Sequence, residues 1–115
     1  FQPDDSDEDL AFMVRKITNI RIFDDEKGAL NKSISDINGD ILLVPNFTLA
    51  ADTTRGNRPG FSTAMPPDIA KPMFEKFVDD VSCAYTKVAS GVFGADMKVS
   101  LINDGPITIS LASKK

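Results

Sequence analysis

Chemistry in this chain must proceed without an imidazole. The sequence has 115 residues and no histidine. Ser-His-Asp and Cys-His nucleophile systems, zinc sites held by histidine and the commonest general base are therefore all excluded. Any catalysis must use another kind of group, and three stretches of the sequence supply candidates.

The first stretch is residues 103–108, Asn-Asp-Gly-Pro-Ile-Thr, which lies between two runs of alternating apolar residues. Residues 97–102 and 107–112 both have the period-2 pattern of half-buried strands. Two strands would hold a Gly-Pro step rigidly from both sides. By itself, Asp-Gly-Pro indicates only a tight turn.

The second stretch is the most apolar run of the chain, residues 41–49, which we predict to be a strand. It contains Pro45, which cannot donate a ladder hydrogen bond, so Pro45 should lie at an edge, at a bulge or at the strand's end. Bulges beside active sites re-aim side chains. Asn46, Phe47 and Thr48 therefore become candidate site residues.

The third stretch is the long connection 50–67, which is rich in Thr, Gly, Asn and Pro and carries Arg55 and Arg58. Loops this long are usually functional or disordered. Charged loop residues are more often only solvated, and the net charge of −4 argues against indiscriminate nucleic-acid binding. A local cationic patch stays possible at these arginines and at Lys114 and Lys115.

Composition predicts one globular domain over residues 1–115, with 42% apolar and 26% charged residues. No apolar run is long enough to span a bilayer and no signal peptide is visible, so we expect a cytoplasmic protein. Cys83 is the single cysteine, which excludes an internal disulfide and fits a reducing compartment.

Two helices are expected around this core. Residues 7–18 have helical periodicity, with Ser6 as N-cap and Asp9 as capping-box acid. A second helix is predicted after Asp68, its cap, with Pro72 in or beside the first turn. Its apolar stripe consists of Ala70, Met73, Phe74, Phe77, Val78 and Val81.

The remaining local signals predict strands and turns. Residues 20–23 read as a short strand stopped by a charged turn that closes on Gly28. Asn38 and Gly39 form a two-residue hairpin signal ahead of the strand at 41–49.

Taken together, these motifs resemble the D-aminoacyl-tRNA deacylase family. The matching segments are residues 47–53 with Gly56, residues 58–62, residues 91–97 and residues 103–108. They occur in the family's order and spacing, and the similarity runs from end to end of the chain.

The resemblance implies a hydrolase that cleaves the ester between a D-amino acid, and possibly glycine, and the 3′-terminal adenosine of tRNA. It implies a homodimer that needs no obligatory cofactor or metal. The fold it implies is α+β, with antiparallel sheets in a barrel-like core and two packed helices. Family members carry about thirty further residues that form the first strands, and a sheet lacking them would expose unpaired edges.

The resemblance also assigns roles to the Gly-Pro turn. The Gly105-Pro106 bond would be cis, and its carbonyls would bind the substrate's α-amine in the partner's pocket, leaving no room for an L side chain. Asn103 and Thr108 would brace the turn. The residues expected to line the pocket floor are Phe93, Met97 and Ala64.

The chain departs from the family at the other half of the site, where the usual Ser-Gln-Phe-Thr reads Pro45, Asn46, Phe47, Thr48. Asn46 keeps the amide but is one methylene shorter, and Pro45 cannot supply a nucleophilic hydroxyl. We assign catalysis to Asn46, Phe47 and Thr48, with Thr48 orienting groups by hydrogen bonds and backbone N–H groups near Phe47 and Thr48 as donors. Arg55 and Arg58 would contact tRNA at its acceptor end.

Two alternatives stay open. One is a relative with a trans Gly-Pro bond that acts on L-aminoacyl-tRNA. The other is a non-catalytic scaffold for nucleic-acid binding or dimerisation. An assay with D-, L- and glycyl-tRNA esters would separate the three.

Overall fold

The computed structural model describes residues 1–113, which form an α+β fold, as predicted. Its elements in chain order are α1 (Asp7–Asn19), β1 (Phe23–Asp24), β2 (Leu30–Lys32), β3 (Ile41–Leu43), a 3-10 helix (Phe47–Ala50), α2 (Pro67–Ala84) and β4 (Val88–Ser90). The buried apolar core consists of Leu10, Ile34, Met65, Ala70, Phe74 and Val81. Neither helix of the described residues is long and apolar enough to cross a membrane.

Helix α1 confirms its prediction and runs one residue further. The Ser6 N–H donates to Asp9 Oδ2 at 2.8 Å, which is half of the predicted capping box. Asp7, Glu8 and Asp9 in the first turn complement the positive end of the helix dipole. Leu10 on the inner face is buried, so this helix is anchored on the core.

Helix α2 confirms the apolar stripe but not its start. Its N-cap is Pro66, so the prediction that Asp68 caps the helix is wrong, and Asp68 lies within the first turn. Pro72 lies inside the helix rather than beside its start, where it removes one backbone donor. The helix continues through Pro72 because burial of the apolar stripe outweighs the lost hydrogen bond. An ion pair of 3.7 Å between Lys76 Nζ and Asp7 Oδ1 links α2 to α1.

The strands form two separate two-stranded sheets rather than the expected antiparallel core throughout. β1 pairs antiparallel with β2, whereas β3 pairs parallel with β4, Ile41 opposite Val88. Parallel strands need a long crossover, and the chain from β3 through α2 provides it. The hairpin predicted at Asn38 is wrong because β2 and β3 belong to different sheets, although Asn38 does adopt the left-handed turn conformation (φ 54°).

Four strand predictions are shortened or wrong. The run 20–23 contributes only Phe23 to β1, and the run 41–49 ends as a strand at Leu43, ahead of Pro45 as expected. Residues 97–102 and 107–112 belong to no sheet in the described part of the chain. Their alternation is real, but their backbones find no partner strand there, and Leu101 and Ile102 are 73% and 92% exposed.

Candidate active site

A cavity of about 920 Å³ opens beside the 3-10 helix. Among the predicted site residues, Asn46, Phe47, Ala64 and Phe93 line it. β3 ends at Leu43, and the residues that follow it lead along the cavity wall to Asn46. The structure therefore brings residues from three distant parts of the sequence to one place.

Aromatic rings form part of the cavity wall. Phe47 meets Phe61 edge-on, with ring centroids 4.9 Å apart, and it is still 59% exposed. Phe93 packs against the buried Phe74 of α2 at 6.3 Å, so the helix fixes its position. Of these two rings, that of Phe93 is held by the core and that of Phe47 remains accessible.

Asn46 organises the start of the 3-10 helix. Its Oδ1 accepts a hydrogen bond from the Thr48 N–H at 3.2 Å and another from the Thr48 hydroxyl. With its proton directed at the amide, the Thr48 oxygen can only accept further hydrogen bonds. Thr48 does not line the cavity itself, and its geometry is that of an orienting group and not of an activated nucleophile.

The backbone donors differ from the expectation. The sequence predicts that the backbone N–H groups of Phe47 and Thr48 are both available. In the structure, the Thr48 N–H already donates a hydrogen bond to Asn46 Oδ1. The Phe47 N–H is the first of the 3-10 helix and has no acceptor among residues 1–113. One open backbone donor therefore lies next to the cavity.

Residues 103–108, which we call the proline loop, are braced by one side chain. Asn103 Nδ2 donates to Thr108 Oγ1 at 2.9 Å, and the Ile107 N–H donates to Asn103 Oδ1 at 2.8 Å. The Gly105-Pro106 peptide bond is cis, and Gly105 has φ 139°. A Cβ at Gly105 would lie 2.9 Å from Ile107 Cγ1, so only glycine fits.

The proline loop and the cavity are separate within one chain. Gly105 and Pro106 are exposed and are not among the residues that line the cavity. Met97, also expected in the pocket floor, lies instead beside Gly91, where an added Cβ would meet Met97 Sδ at 2.7 Å and Pro45 Cδ at 3.4 Å. Gly91 therefore allows Met97 and Pro45 to approach the backbone closely. This contact was not predicted from the sequence, where its only signal was the place of Gly91 in the 91–97 motif.

Residues 52–60, the arginine loop, are closed at their base. Asp52 and Gly60 exchange two backbone hydrogen bonds of 2.7 and 2.9 Å. Arg55 and Arg58 are exposed and form no ion pair with the described residues. The loop predicted to be functional or disordered is thus built as a closed turn, while Lys114 and Lys115 lie outside the described residues.

The Asp52 side chain also acts within this loop. Its Oδ1 accepts hydrogen bonds from the Thr54 hydroxyl at 2.7 Å and the Thr54 N–H at 3.0 Å. These bonds, that of the hydroxyl first, lower the pKa of Asp52 below its ordinary value. From the sequence, Asp52 was placed only within the 47–53 motif, although an Asp side chain commonly accepts a hydrogen bond from the backbone N–H two residues later.

Metal-ligating side chains do not cluster within residues 1–113: no group of three or more Asp, Glu or Cys there could hold an ion.

The family model for D-Tyr-tRNA(Tyr) deacylase matches residues 1–112. A D-aminoacyl-tRNA deacylase from Chlorobaculum tepidum is 57% identical over 113 residues, which cover 97% of this chain and 75% of the relative. One from Thermosipho africanus is 52% identical over 112 residues, with the same coverage.

A solved structure supports the same relationship. The c-Myc DNA Unwinding Element Binding Protein has a TM-score of 0.93 and 39% identity to this chain, covering 100% of it and 78% of its own length. The motifs at 47–62, 91–97 and 103–108 all fall inside the matched region. By sequence and by fold, the chain belongs to the D-Tyr-tRNA(Tyr) deacylase family.

Proposed function

We propose that this protein is a D-aminoacyl-tRNA deacylase, a hydrolase of the ester between a D-amino acid and the 3′-terminal adenosine of tRNA. The observation that carries the proposal is the braced proline loop, in which the Asn103 side chain holds Ile107 and Thr108 and leaves Gly105 and Pro106 exposed. The work of such an enzyme, chiral proofreading in translation, belongs in the cytoplasm.

Selection would take place at the backbone. The Gly105 and Pro106 carbonyls can accept hydrogen bonds from the substrate's α-amine. Once inserted into a partner's cavity, the loop would leave no space for an L side chain. Glycine, which has no side chain, would pass the same filter. Because the loop does not line the cavity of its own chain, we propose a homodimer in which each loop enters the other subunit's cavity, opposite Ala64 and Phe93.

The chemistry needs little from side chains. An aminoacyl ester is already activated, and its vicinal 2′-hydroxyl can assist once the ester is positioned. The open Phe47 N–H is suited to stabilise the oxyanion, a contribution worth roughly 10²–10³ in rate for such a donor. The Thr48 oxygen can accept a hydrogen bond from the attacking water or the 2′-hydroxyl, held in place by Asn46.

Asn46→Ala and Thr48→Val should each lower kcat by about tenfold, since each removes hydrogen bonds that hold this orienting pair. The double variant should be little worse than either single variant because the two side chains act as one unit. Single-turnover kinetics on a D-aminoacyl-tRNA measure the effect. Fully additive losses would contradict the pairing.

Arg55 and Arg58 would bind the phosphates of the acceptor end. Arg55→Ala with Arg58→Ala should weaken tRNA affinity by up to about tenfold at low salt. The slope of log K against log salt should fall by about 1.4, at roughly 0.7 per phosphate of a single strand. Arg15→Ala with Lys16→Ala on α1 removes the same charge as a control, and equal slopes in the two double variants would contradict the assignment.

Purified protein assayed with D-Tyr-tRNA, L-Tyr-tRNA and Gly-tRNA tests the function. Release of the D-amino acid, alone or with glycine, is expected. Comparable turnover of the L-ester would instead favour a deacylase of L-aminoacyl-tRNA. Turnover of none would favour the second candidate, a nucleic-acid-binding scaffold, which is prompted by the name of the similar c-Myc DNA Unwinding Element Binding Protein.

A further inference from the structure

We propose that Asp52 is a positioning residue, which fixes the arginine loop so that Arg55 and Arg58 together meet the phosphates of the RNA. This inference rests on the proposed function, because it concerns how the same substrate is held. The hydrogen bonds from Thr54 to the Asp52 carboxylate would then help to determine the affinity for tRNA.

The first support is the geometry of the loop's base. The paired backbone bonds between Asp52 and Gly60 bring both ends of the loop together. Phe61 follows directly and packs on Phe47, so the base is continuous with the cavity wall. Thr63 Oγ1 donates to the Ala50 carbonyl and ties down the flanking segment on the other side. The loop that carries the arginines is therefore held at its base against the wall of the candidate active-site cavity.

The second support is the direction of the Asp52 carboxylate. A carboxylate three residues from Arg55 could neutralise it, yet Asp52 forms no ion pair with either arginine and bonds to Thr54 instead. Asp52 thus holds the first half of the loop without cancelling its positive charge. Gly56 completes the turn with φ 63°, and no atom lies within 4 Å of where its Cβ would be, so the loop's tip is open to a ligand.

Asp52→Ala should raise KM for D-Tyr-tRNA by about three- to tenfold, the range for losing exposed charge contacts, while kcat changes by less than about twofold. Asp52→Asn keeps an oxygen that can accept both Thr54 bonds and should restore KM. In the Arg55→Ala, Arg58→Ala background, Asp52→Ala should have no further effect on KM. Asp25→Ala is the matched control, because Asp25 accepts the N–H groups of Lys27 and Ala29 in the turn after β1.

A minimal ester, 3′-O-D-tyrosyl-adenosine, separates this inference from the proposed function. Wild type and Asp52→Ala should cleave it equally, because it has no phosphates. If wild type cleaves neither this ester nor the tRNA, the proposed function fails. If wild type cleaves both, any of three results would overturn the role of Asp52. The KM for the tRNA could be unchanged in Asp52→Ala, or it could be as high in Asp52→Asn as in Asp52→Ala. It could also rise further when Asp52→Ala is added to the Arg55→Ala, Arg58→Ala background.

Discussion

Gly105→Ala should lower kcat/KM for a D-aminoacyl-tRNA by about a hundredfold or more, the scale expected when a positioning group is displaced by about 1 Å. At φ 139° an L side chain is strained, and the new Cβ would lie 2.9 Å from Ile107 Cγ1 and 3.1 Å from the Ile107 nitrogen. The backbone nitrogen cannot move aside without shifting the turn. The carbonyls proposed to bind the substrate's α-amine would move with it.

Gly28→Ala is the matched control for this substitution. Gly28 also has positive φ, 78°, but no atom lies within 4 Å of its ideal Cβ, and it belongs to the turn between β1 and β2. Gly28→Ala should therefore introduce backbone strain without a steric clash. It should keep its activity at a temperature where the variant is folded. Near wild-type activity in Gly105→Ala would contradict the proposed role of the loop.

Asn103→Ala should lower kcat/KM by roughly thirtyfold, because two hydrogen bonds of about 1 kcal/mol each are lost from the proline loop. The Ile107 N–H and the Thr108 hydroxyl both depend on this one side chain. The ratio of D- to L-Tyr-tRNA hydrolysis should fall as well, since a loosened loop excludes L side chains less strictly. Steady-state assays with both esters measure the two effects.

Two further variants sharpen this test. Thr108→Val removes only the bond to Asn103 Nδ2 and should have a smaller effect than Asn103→Ala. Asn31→Ala in β2 removes the acceptor of an exposed hydrogen bond from Arg21, so it is a matched loss of an asparagine and should leave kcat/KM unchanged. Equal effects of Asn103→Ala and Asn31→Ala would show that the loop's brace has no role.

Local patterns predicted the helices well because their causes are local. The Ser6 and Asp9 signals of α1 and the apolar stripe of α2 depend on residues within one or two turns. The start of α2 was misplaced because two prolines at positions 66 and 67 already fix the helical entry, so no Asp cap is needed. The turn at Gly28 was predicted for the same local reason.

Strands were predicted less well because a strand exists only with a partner. The alternation at 97–102 and 107–112 says which side chains share a face and nothing about a neighbouring backbone. The parallel pairing of β3 with β4 joins residues more than forty positions apart in the printed numbering, which no local pattern contains. The hairpin expected at Asn38 failed for this reason too.

The sequence by itself determined the chemical inventory and the family. The absence of histidine, the order of the motifs and the replacement of Ser-Gln by Pro45 and Asn46 are properties of the chain alone. Tertiary structure decided which of these groups meet: that Asn46 occupies the Thr48 N–H and leaves that of Phe47 open, that Phe93 joins Phe47 at one cavity, and that Asp52 turns away from its arginines. Hydrogen bonds and packing depend on distance in space, which residue spacing does not specify.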